Sequence, residues 1–382
     1  MSVISSIILY LAVVSISCFF LKYLVGQGHT ELACGSFQKS ICINSNYKVI
    51  ITCLICILPV VLLYTLRFGI GYDYLSYEKS YHILHNTAIL EYFRAHRGAV
   101  HGTFYVEPGY YLLNRIAPNY HILQFLNALV IFLPFSKAVC ICRTKISPHV
   151  AFFVFYATQF IYSMNGVRYS MALSFILLAF VYLLHHKNLK FFICIAVAAM
   201  FHTTALLALL YFLVREFRSP LLNRIRDMVL ILLPFSIPYA KDIFQTIGAY
   251  IPAFHRLYAL YPMTNEFHLT WGLWLHFVPP VLPALLIFGK KMFESQEERT
   301  MFRILLTEIP IRLFSIYNGW YGRLCRIPQL IYVIFVPYML RKVKQKEERK
   351  ILLLYYVLWY TFYFLYYHLA LDGSSIHYQW IF

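Results

Sequence analysis

The sequence predicts an all-α polytopic membrane protein, and three observations carry that prediction. Of the 382 residues, 60% are hydrophobic and only 13% are charged, whereas soluble domains are about 45–50% apolar and about 25% charged. Mean hydropathy is +0.64. The apolar runs are long and unbroken, unlike the short alternating strands of an outer-membrane barrel. A soluble enzyme, a disordered protein and a disulfide-stapled secreted module are therefore excluded.

About ten apolar runs are long enough to cross, or nearly cross, the roughly 30 Å of hydrocarbon in a bilayer. They fall near 3–22, 49–66, 121–139, 149–164, 169–185, 228–243, 270–289, 304–318, 327–340 and 351–369. The first run has no charged region ahead of it, and Lys22 follows it. That arrangement is typical of a transmembrane helix and not of a cleaved signal peptide.

The basic residues set the predicted orientation in the membrane. The net charge of +17 would suggest nucleic acid in a soluble protein, but lysine and arginine collect in the cytoplasmic loops of membrane proteins. No nucleic-acid partner is therefore expected. Basic segments lie near 137–145, 185–190, 215–226, 290–291 and 341–350. Placing them in the cytoplasm puts both termini outside, together with a large outer loop at about 67–120.

A further apolar run, 191–214, has basic loops on both sides, so its two ends should lie on the same side. Its 24 residues cannot make two full spans of about 20 residues each. We therefore predict a re-entrant hairpin that turns near 201–204, which requires the turn to be buried in protein or to line a wet cavity. The alternative is one ordinary span with His202 in mid-membrane. The chain is otherwise a single integral membrane domain, 1–382.

Polar and aromatic residues cluster on the predicted outer face. The candidate site residues are Arg67, Asp73, Tyr74, Glu107, Tyr110, Asn114, Asn165, Arg168, His202, Tyr321, Arg323 and Arg326. An arginine or tyrosine at a helix end often only anchors the interface. Four arginines near one membrane surface nevertheless suit a phosphate or diphosphate, because the guanidinium group binds such oxygens bidentately.

Familiar soluble-enzyme motifs do not occur: the sequence has no P-loop, G-x-S-x-G or G-x-G-x-x-G. Gly69-Ile70-Gly71 lacks the third glycine and is predicted to form a tight turn at the membrane surface. Cys53 and Cys56 form a C-x-x-C inside an apolar run, without a second pair at zinc-site spacing. They are expected to be core residues, and no metal site is expected.

Taken together, the outer-face motifs resemble the EpsG family, which belongs with the Wzy-type polysaccharide polymerases of bacterial inner membranes. The matching stretches are 67–77, 107–114, 165–172 and 201–206, with a weaker match at Tyr321-x-Arg323. One departure is Tyr169, where many relatives carry glutamine after the arginine.

The resemblance implies a multi-pass, GT-C-like glycosyltransferase of the inner (cytoplasmic) membrane. Its substrate would be an oligosaccharide repeat unit on undecaprenyl diphosphate, and its product O-antigen, capsule or exopolysaccharide. A chain-length regulator and a flippase are implied as partners. Arg168, with Arg323 or Arg326, would hold the donor diphosphate without a metal or other cofactor. The candidate bases are Asp73, Glu107 and His202, with Asp73 as the first choice.

Two alternative functions and one local alternative stay open at this point. A flippase or other transporter would share the broken helices and buried charges, although it would normally show internal repeats. A ligase would use similar chemistry on the same lipid carrier. Glu308 and Arg312, four residues apart inside an apolar run, would form an ion pair or else line a central cavity.

Overall fold

The computed structural model describes residues 2–25, 42–97, 106–250, 263, 265, 267, 274, 277–289, 293–366 and 378–379. Within these residues the chain forms helices joined by turns and loops, and no β-strand. The predicted all-α class is confirmed. Two compact units make up the chain. The first comprises Met1–Tyr182, Lys187–Leu209 and Val336–Phe382, and the second comprises Leu183–His186 and Leu210–Phe335.

The first unit contains the helices of the N-terminal half of the chain and the last two helices, except that the last two residues of Val167–Leu184 and the first four of Tyr332–Lys342 belong to the second unit. Its α-helices are Val3–Phe20, Cys42–Cys56, Leu58–Thr65, Tyr74–Asn86, Ile89–Arg97, Pro108–Ile116, Tyr120–Cys142, Pro148–Phe155, Ile161–Asn165, Val167–Leu184, Asn188–Ala199, Tyr332–Lys342 and Lys346–Tyr366. Leu21–Val25 and Tyr156–Phe160 are π-helical, and Thr203–Val214 is a 3₁₀-helix whose first part belongs to this unit.

The second unit is built from shorter helices. They are Pro220–Ser236, Ile237–Tyr239 (3₁₀), Ala240–Tyr250, Val278–Phe288, Gln296–Leu306, Glu308–Phe314, Gly319–Cys325 (3₁₀) and Arg326–Gln329. Arg303 links three parts of this unit. Its Nη1 lies 2.5 Å from Glu216 Oε2, and its Nε and Nη2 donate to the two carboxylate oxygens of Asp227 at 2.8 and 3.0 Å.

Four helical segments among the described residues are long and apolar enough to cross a membrane. They are Val3–Val25, Tyr120–Cys142, Val167–Leu184 and Tyr321–Lys342. A pair bent by 56°, Tyr47–Cys56 with Leu58–Thr65, would make a fifth span. Large apolar side chains such as Ile4 and Ile55 are exposed, as lipid-facing residues are. The protein is therefore a membrane protein, while the count of ten spans stays a prediction.

Aromatic packing positions the helix that leads to the candidate site. Tyr10 is 1% exposed and meets Phe160 and Phe364 edge to face at 6.4 and 6.3 Å. Such pairs contribute about 0.5–1.5 kcal/mol each beyond burial. Tyr64 Oη donates to the carbonyl of Ser163 at 3.1 Å. The short helix Ile161–Asn165 is thereby fixed from two sides.

Two of the predicted apolar runs are interrupted. The run 304–318 divides at Thr307, because the Pro310 ring conflicts with the carbonyl four residues earlier and ends the preceding helix. The run 191–214 divides at residues 200–202 into an α-helix and a 3₁₀-helix. This break lies at the start of the predicted turn, and the re-entrant course of the chain stays a prediction.

Candidate functional site

Glu107 lies at the centre of a polar cluster in the first unit. It precedes the helix Pro108–Ile116, whose first position suits proline because that residue has no N–H to leave unpaired. The Glu107 carboxylate does not cap its own helix. Its Oε2 lies 2.6 Å from Arg168 Nη1, and its Oε1 accepts the backbone N–H of Thr203 at 3.2 Å. The residue is 3% exposed, so both oxygens are committed to partners within the protein.

Arg168 is the second residue of the helix Val167–Leu184, and its side chain is 26% exposed. A cation is unfavourable at the positive end of a helix, and the ion pair with Glu107 offsets that disadvantage. Gly166 allows the tight approach to this helix, since a Cβ there would lie 2.8 Å from the Tyr162 ring. The guanidinium group is thus fixed in place but still reaches the surface of its unit.

Asn165, three residues before Arg168, holds the start of the predicted outer loop. Its Oδ1 accepts the backbone N–H of Tyr72 at 2.7 Å. Gly71 has a φ of +99°, and a Cβ there would lie 2.5 Å from that Oδ1. Gly69 also has a positive φ, of +65°. The chain bends at both glycines, in a conformation that other residues rarely adopt, so the predicted tight turn is confirmed, while its place at the membrane surface stays a prediction.

The break in the 191–214 run presents His202, which is half-buried. Its Nδ1 lies 2.6 Å from Thr204 Oγ1 and accepts the backbone N–H of Thr204 at 3.4 Å. The Tyr169 ring lies beside the imidazole, with 4.9 Å between ring centroids. Tyr169, the predicted departure from the family pattern, therefore forms one wall of the His202 site.

Gly109 brings the second outer-loop motif against this break. Its N–H donates to the carbonyl oxygen of Met200 at 2.8 Å. A Cβ on Gly109 would lie 2.7 Å from that oxygen, which leaves no room for a larger residue. Each of the first three residues of E-P-G-Y therefore has a separate physical purpose: an ion pair, a helix start and a close backbone contact.

Asp73 is exposed and lies immediately before the helix Tyr74–Asn86. Its side chain makes no capping hydrogen bond to that helix. The neighbouring Tyr74 is 1% exposed, and Gln124 Nε2 donates to its hydroxyl at 3.2 Å. The carboxylate is therefore accessible to solvent, whereas the tyrosine next to it is part of the core.

Tyr77 was absent from the predicted set. Its hydroxyl interacts with Arg168, and it lies near Asp73. Burial raises the pKa of Tyr77 to about 12, although the guanidinium group acts in the opposite direction. The phenol is therefore protonated at neutral pH. Its position four residues after Asp73, one helical turn further, could have indicated it.

Tyr110 and Asn114 share one face of their helix, as predicted, and both are buried at 1% and 0% exposure. Asn114 Nδ2 donates to the carbonyl of Tyr110 at 2.7 Å. The Tyr110 ring meets Tyr77 edge to face, with centroids 5.8 Å apart. They support the cluster from within the core, and their contact with substrate stays a prediction.

Arg67 is the most deeply placed of the candidate arginines, at 1% exposure. Its guanidinium carbon lies 4.0 Å from the centroid of the Tyr64 ring, a cation–π contact that partly replaces water. Its Nε and Nη1 have no hydrogen-bond partner among the described residues. Direct contact with a substrate would require this arginine to become accessible, and that contact stays a prediction.

Tyr321, Arg323 and Arg326 belong to the second unit. Tyr321 packs against Phe314, with 4.5 Å between ring centroids, and is 7% exposed. Arg323 is exposed, and Arg326 is 6% exposed. Their predicted part in holding a diphosphate stays a prediction.

Glu308 and Arg312 form the predicted ion pair, with 2.6 Å between Oε1 and Nη2. Glu308 is fully buried and also accepts hydrogen bonds from Gln329 Nε2 at 2.7 Å and Tyr332 Oη at 3.0 Å. The carboxylate therefore joins its own helix to Gln329 and to Tyr332, which begins the next helix.

The residues of the first-unit cluster have the chemistry to bind an anion. The cluster combines the partly exposed guanidinium of Arg168, the hydroxyl of Tyr77 that interacts with it, and His202, and the Glu107 carboxylate binds the guanidinium and the backbone N–H of Thr203. Among the described residues, no group of three or more histidine, cysteine, aspartate or glutamate side chains could hold a metal ion.

Comparison with known proteins gives one match. No curated protein and no solved structure matches the chain. The EpsG family model matches residues 50–380, a range that contains every candidate residue of the cluster. This chain therefore belongs to the EpsG family.

Proposed function

We propose that this protein is a polymerase of surface polysaccharide. It joins oligosaccharide repeat units carried on undecaprenyl diphosphate, on the outer face of the bacterial inner membrane. Membership of the EpsG family is associated with exopolysaccharide-related polymerases. The GT-C-like architecture and the glycosyltransferase reaction are part of this proposal.

One observation carries the proposal: segments from four distant parts of the chain meet in one polar cluster. Asn165 binds the backbone of the first outer-loop motif, and Glu107 of the second motif binds both Arg168 and the backbone of Thr203. A purely structural role would not require an arginine that is held by a buried carboxylate and still partly exposed. Such a group can act on a substrate without a large cost of reorganisation.

The reaction separates charge, and the cluster has groups for both signs. The bond between the anomeric carbon of the growing chain and a diphosphate oxygen breaks, while the acceptor hydroxyl oxygen forms a new bond to that carbon. The diphosphate leaves with the electron pair, and Arg168 stabilises its added negative charge. The hydroxyl proton passes to a carboxylate base.

Asp73 is the base in this proposal. It is the exposed carboxylate of the cluster, whereas both oxygens of Glu107 are occupied by Arg168 and Thr203. A base must reach the proton that it removes, and an exposed side chain at the end of a helix can do so. Tyr77, next to Arg168, adds a protonated hydroxyl on the same side of the helix.

Replacing Arg168 with alanine tests the leaving-group role. Loss of one guanidinium–phosphate contact in the transition state should lower the rate about 100-fold or more, while the protein stays in the membrane. R168K should keep part of the activity, because lysine keeps the charge and loses the bidentate geometry. The matched control is R94A, since Arg94 is an exposed arginine of the predicted outer loop.

Polymer of normal length and amount from the R168A variant would refute this role.

Deletion of the whole gene separates the competing functions. Collapse of the glycan ladder to single repeat units supports polymerisation. Lipid-linked units trapped inside the cell would indicate a flippase, and full-length polymer that stays on its lipid carrier would indicate a ligase.

A further inference from the structure

The N terminus of the helix Thr203–Val214 is capped by two side chains from different parts of the chain. Glu107 Oε1 accepts the N–H of Thr203, and His202 Nδ1 accepts the N–H of Thr204. The first N–H groups of a helix have no carbonyl partner within it, and side-chain acceptors commonly satisfy them. The imidazole of His202 therefore has a defined task at Nδ1.

This task fixes where the histidine carries its proton. A backbone N–H can only donate, so the Nδ1 atom that it binds must offer a lone pair. The Thr204 hydroxyl, 2.6 Å from the same Nδ1, must then also donate to it. Neutral His202 consequently holds its proton on Nε2. Its single ring lone pair is the one that Thr204 occupies, which disfavours His202 as a proton acceptor.

We propose that Thr204 is a positioning residue that keeps His202 in the Nε2–H form, and that His202 donates this hydrogen to a phosphate oxygen of the lipid diphosphate. The inference rests on the proposed polymerase function and assigns parts within its site. A phosphate oxygen is the favoured acceptor because Arg168, the other donor suited to phosphate, is joined to the same carboxylate that caps this helix.

Two consequences for the candidate bases follow. Glu107 is a positioning residue, because it holds Arg168 with one oxygen and the helix N terminus with the other. His202 is a donor to substrate. Of the three candidate bases, Asp73 is then the one that accepts the proton.

Replacing His202 with glutamine and with alanine distinguishes a hydrogen-bond donor from a base. Gln places an N–H₂ near the former Nε2 but accepts no proton, whereas alanine provides neither. Binding of the probe undecaprenyl diphosphate to the purified full-length protein should weaken about 10- to 100-fold in H202A, the effect of one hydrogen bond to a charged group. It should weaken no more than about threefold in H202Q. H82Q is the matched control, since His82 is exposed on the outer-loop helix.

The role of Thr204 is tested by the same binding measurement. T204V keeps the shape of the side chain and removes the hydroxyl, so binding should weaken. T204S should restore it, because serine returns the hydroxyl. T87V is the matched control, because within the described part of the chain the Thr87 hydroxyl donates only to the carbonyl of Ile83 on its own helix.

A direct measurement reads the tautomer without any activity. In ¹⁵N NMR of histidine-labelled protein, the His202 signals are identified by their loss in H202Q. We expect a protonated Nε2 and an unprotonated Nδ1 in the wild type, and a mixture in T204V. Protonated Nδ1 in the wild type overturns the inference and leaves the polymerase proposal intact. H202Q as weak as H202A, or H202A as tight as wild type, also overturns it. Wild-type protein that neither binds undecaprenyl diphosphate nor makes polymer overturns both proposals.

Discussion

At the scale of single residues, the site depends on two glycines, because a side chain at either position would collide with neighbouring atoms. Gly71 and Gly109 each place backbone where a Cβ would collide with the chain, at 2.5 Å from Asn165 Oδ1 and 2.7 Å from the Met200 carbonyl. The sequences of the two motifs do not predict either contact. Glycine in G-Y-D and in E-P-G-Y is therefore required by close approach, and at Gly71 also by a positive φ.

Alanine at position 71 should show this requirement. The G71A variant combines a strained φ with a collision, so we expect its free energy of unfolding to fall by about 1–3 kcal/mol or more, with loss of the Tyr72–Asn165 hydrogen bond. The melting temperature of the purified protein in detergent measures the effect. G319A is the control, because no atom of the described residues lies within 4 Å of a Cβ at Gly319. Equal melting temperatures for G71A and wild type would contradict the prediction.

At the scale of elements, helices are joined by a small number of charged contacts. In the second unit, Glu308 binds Arg312 of its own helix and Gln329 and Tyr332 of the following segments. A buried carboxylate of this kind is expensive to desolvate, and its removal leaves its partners unpaired. The hydrogen bonds that Glu308 accepts from Gln329 and Tyr332 therefore matter more for which helices meet than for net stability.

The E308A variant should lose about 3–5 kcal/mol of stability, because it leaves a partly buried arginine without its counter-charge. The double variant E308A/R312A should be less destabilised than the sum of the two single variants. Thermal unfolding of the three proteins in one detergent measures the coupling. Strict additivity would show that the two side chains do not interact in the folded protein.

Acid should destabilise the second unit, because it protonates the two carboxylates that pair with Arg303. Burial alone raises the pKa of Glu216 and of Asp227, but their ion pairs with Arg303 and neighbouring arginines bring both values below the ordinary 4.5 and 3.8. A carboxyl group with a lowered folded-state pKa stabilises the protein above its unfolded-state pKa, and that stability is lost as pH falls through the folded-state value.

We therefore expect the melting temperature to fall as pH drops below about 4.5, and the fall to be smaller in R303Q. K350Q is the control, because Lys350 forms an exposed pair with Glu347 of a kind that contributes little. An R303Q protein with the same acid sensitivity as wild type would contradict this account.

At the scale of the whole molecule, composition and hydropathy predicted more of the fold than any motif did. Length, hydropathy and unbroken apolar runs were sufficient for the all-α membrane class, and segments near 3–22, 121–139 and 169–185 reappear as Val3–Val25, Tyr120–Cys142 and Val167–Leu184. The sequence did not reveal the division of 304–318 at Thr307, because Pro310 lies in a run that is apolar on average. Hydropathy averages over about 19 residues and does not register one missing N–H.

The candidate site was predictable as a set of residues but not as an arrangement. Glu107 and Arg168 are 61 positions apart, and Glu107 and Thr203 are 96 apart. Such pairings depend on how helices pack and leave no periodic signal in one sequence. Thr204 was missed for a related reason, since its importance comes from His202 in a geometry that only the fold supplies.

Reporter fusions test the predicted orientation. Alkaline phosphatase, which is active only outside the cytoplasm, should be active when fused after Leu90 and inactive after Gln345. A fusion after Arg218 decides the course of 191–214. An inactive enzyme there is expected for the re-entrant hairpin, and an active enzyme would mean one ordinary span.

The contacts of Glu107 also set an order of events during synthesis. The ribosome makes the chain from its N terminus, so this glutamate exists well before Arg168 and Thr203, its two partners. Until both have been inserted, the carboxylate lacks the guanidinium, the helix end or both. Assembly of the site is therefore a late step of biogenesis, and a nascent chain arrested before residue 203 carries the outer-loop motifs without a working centre.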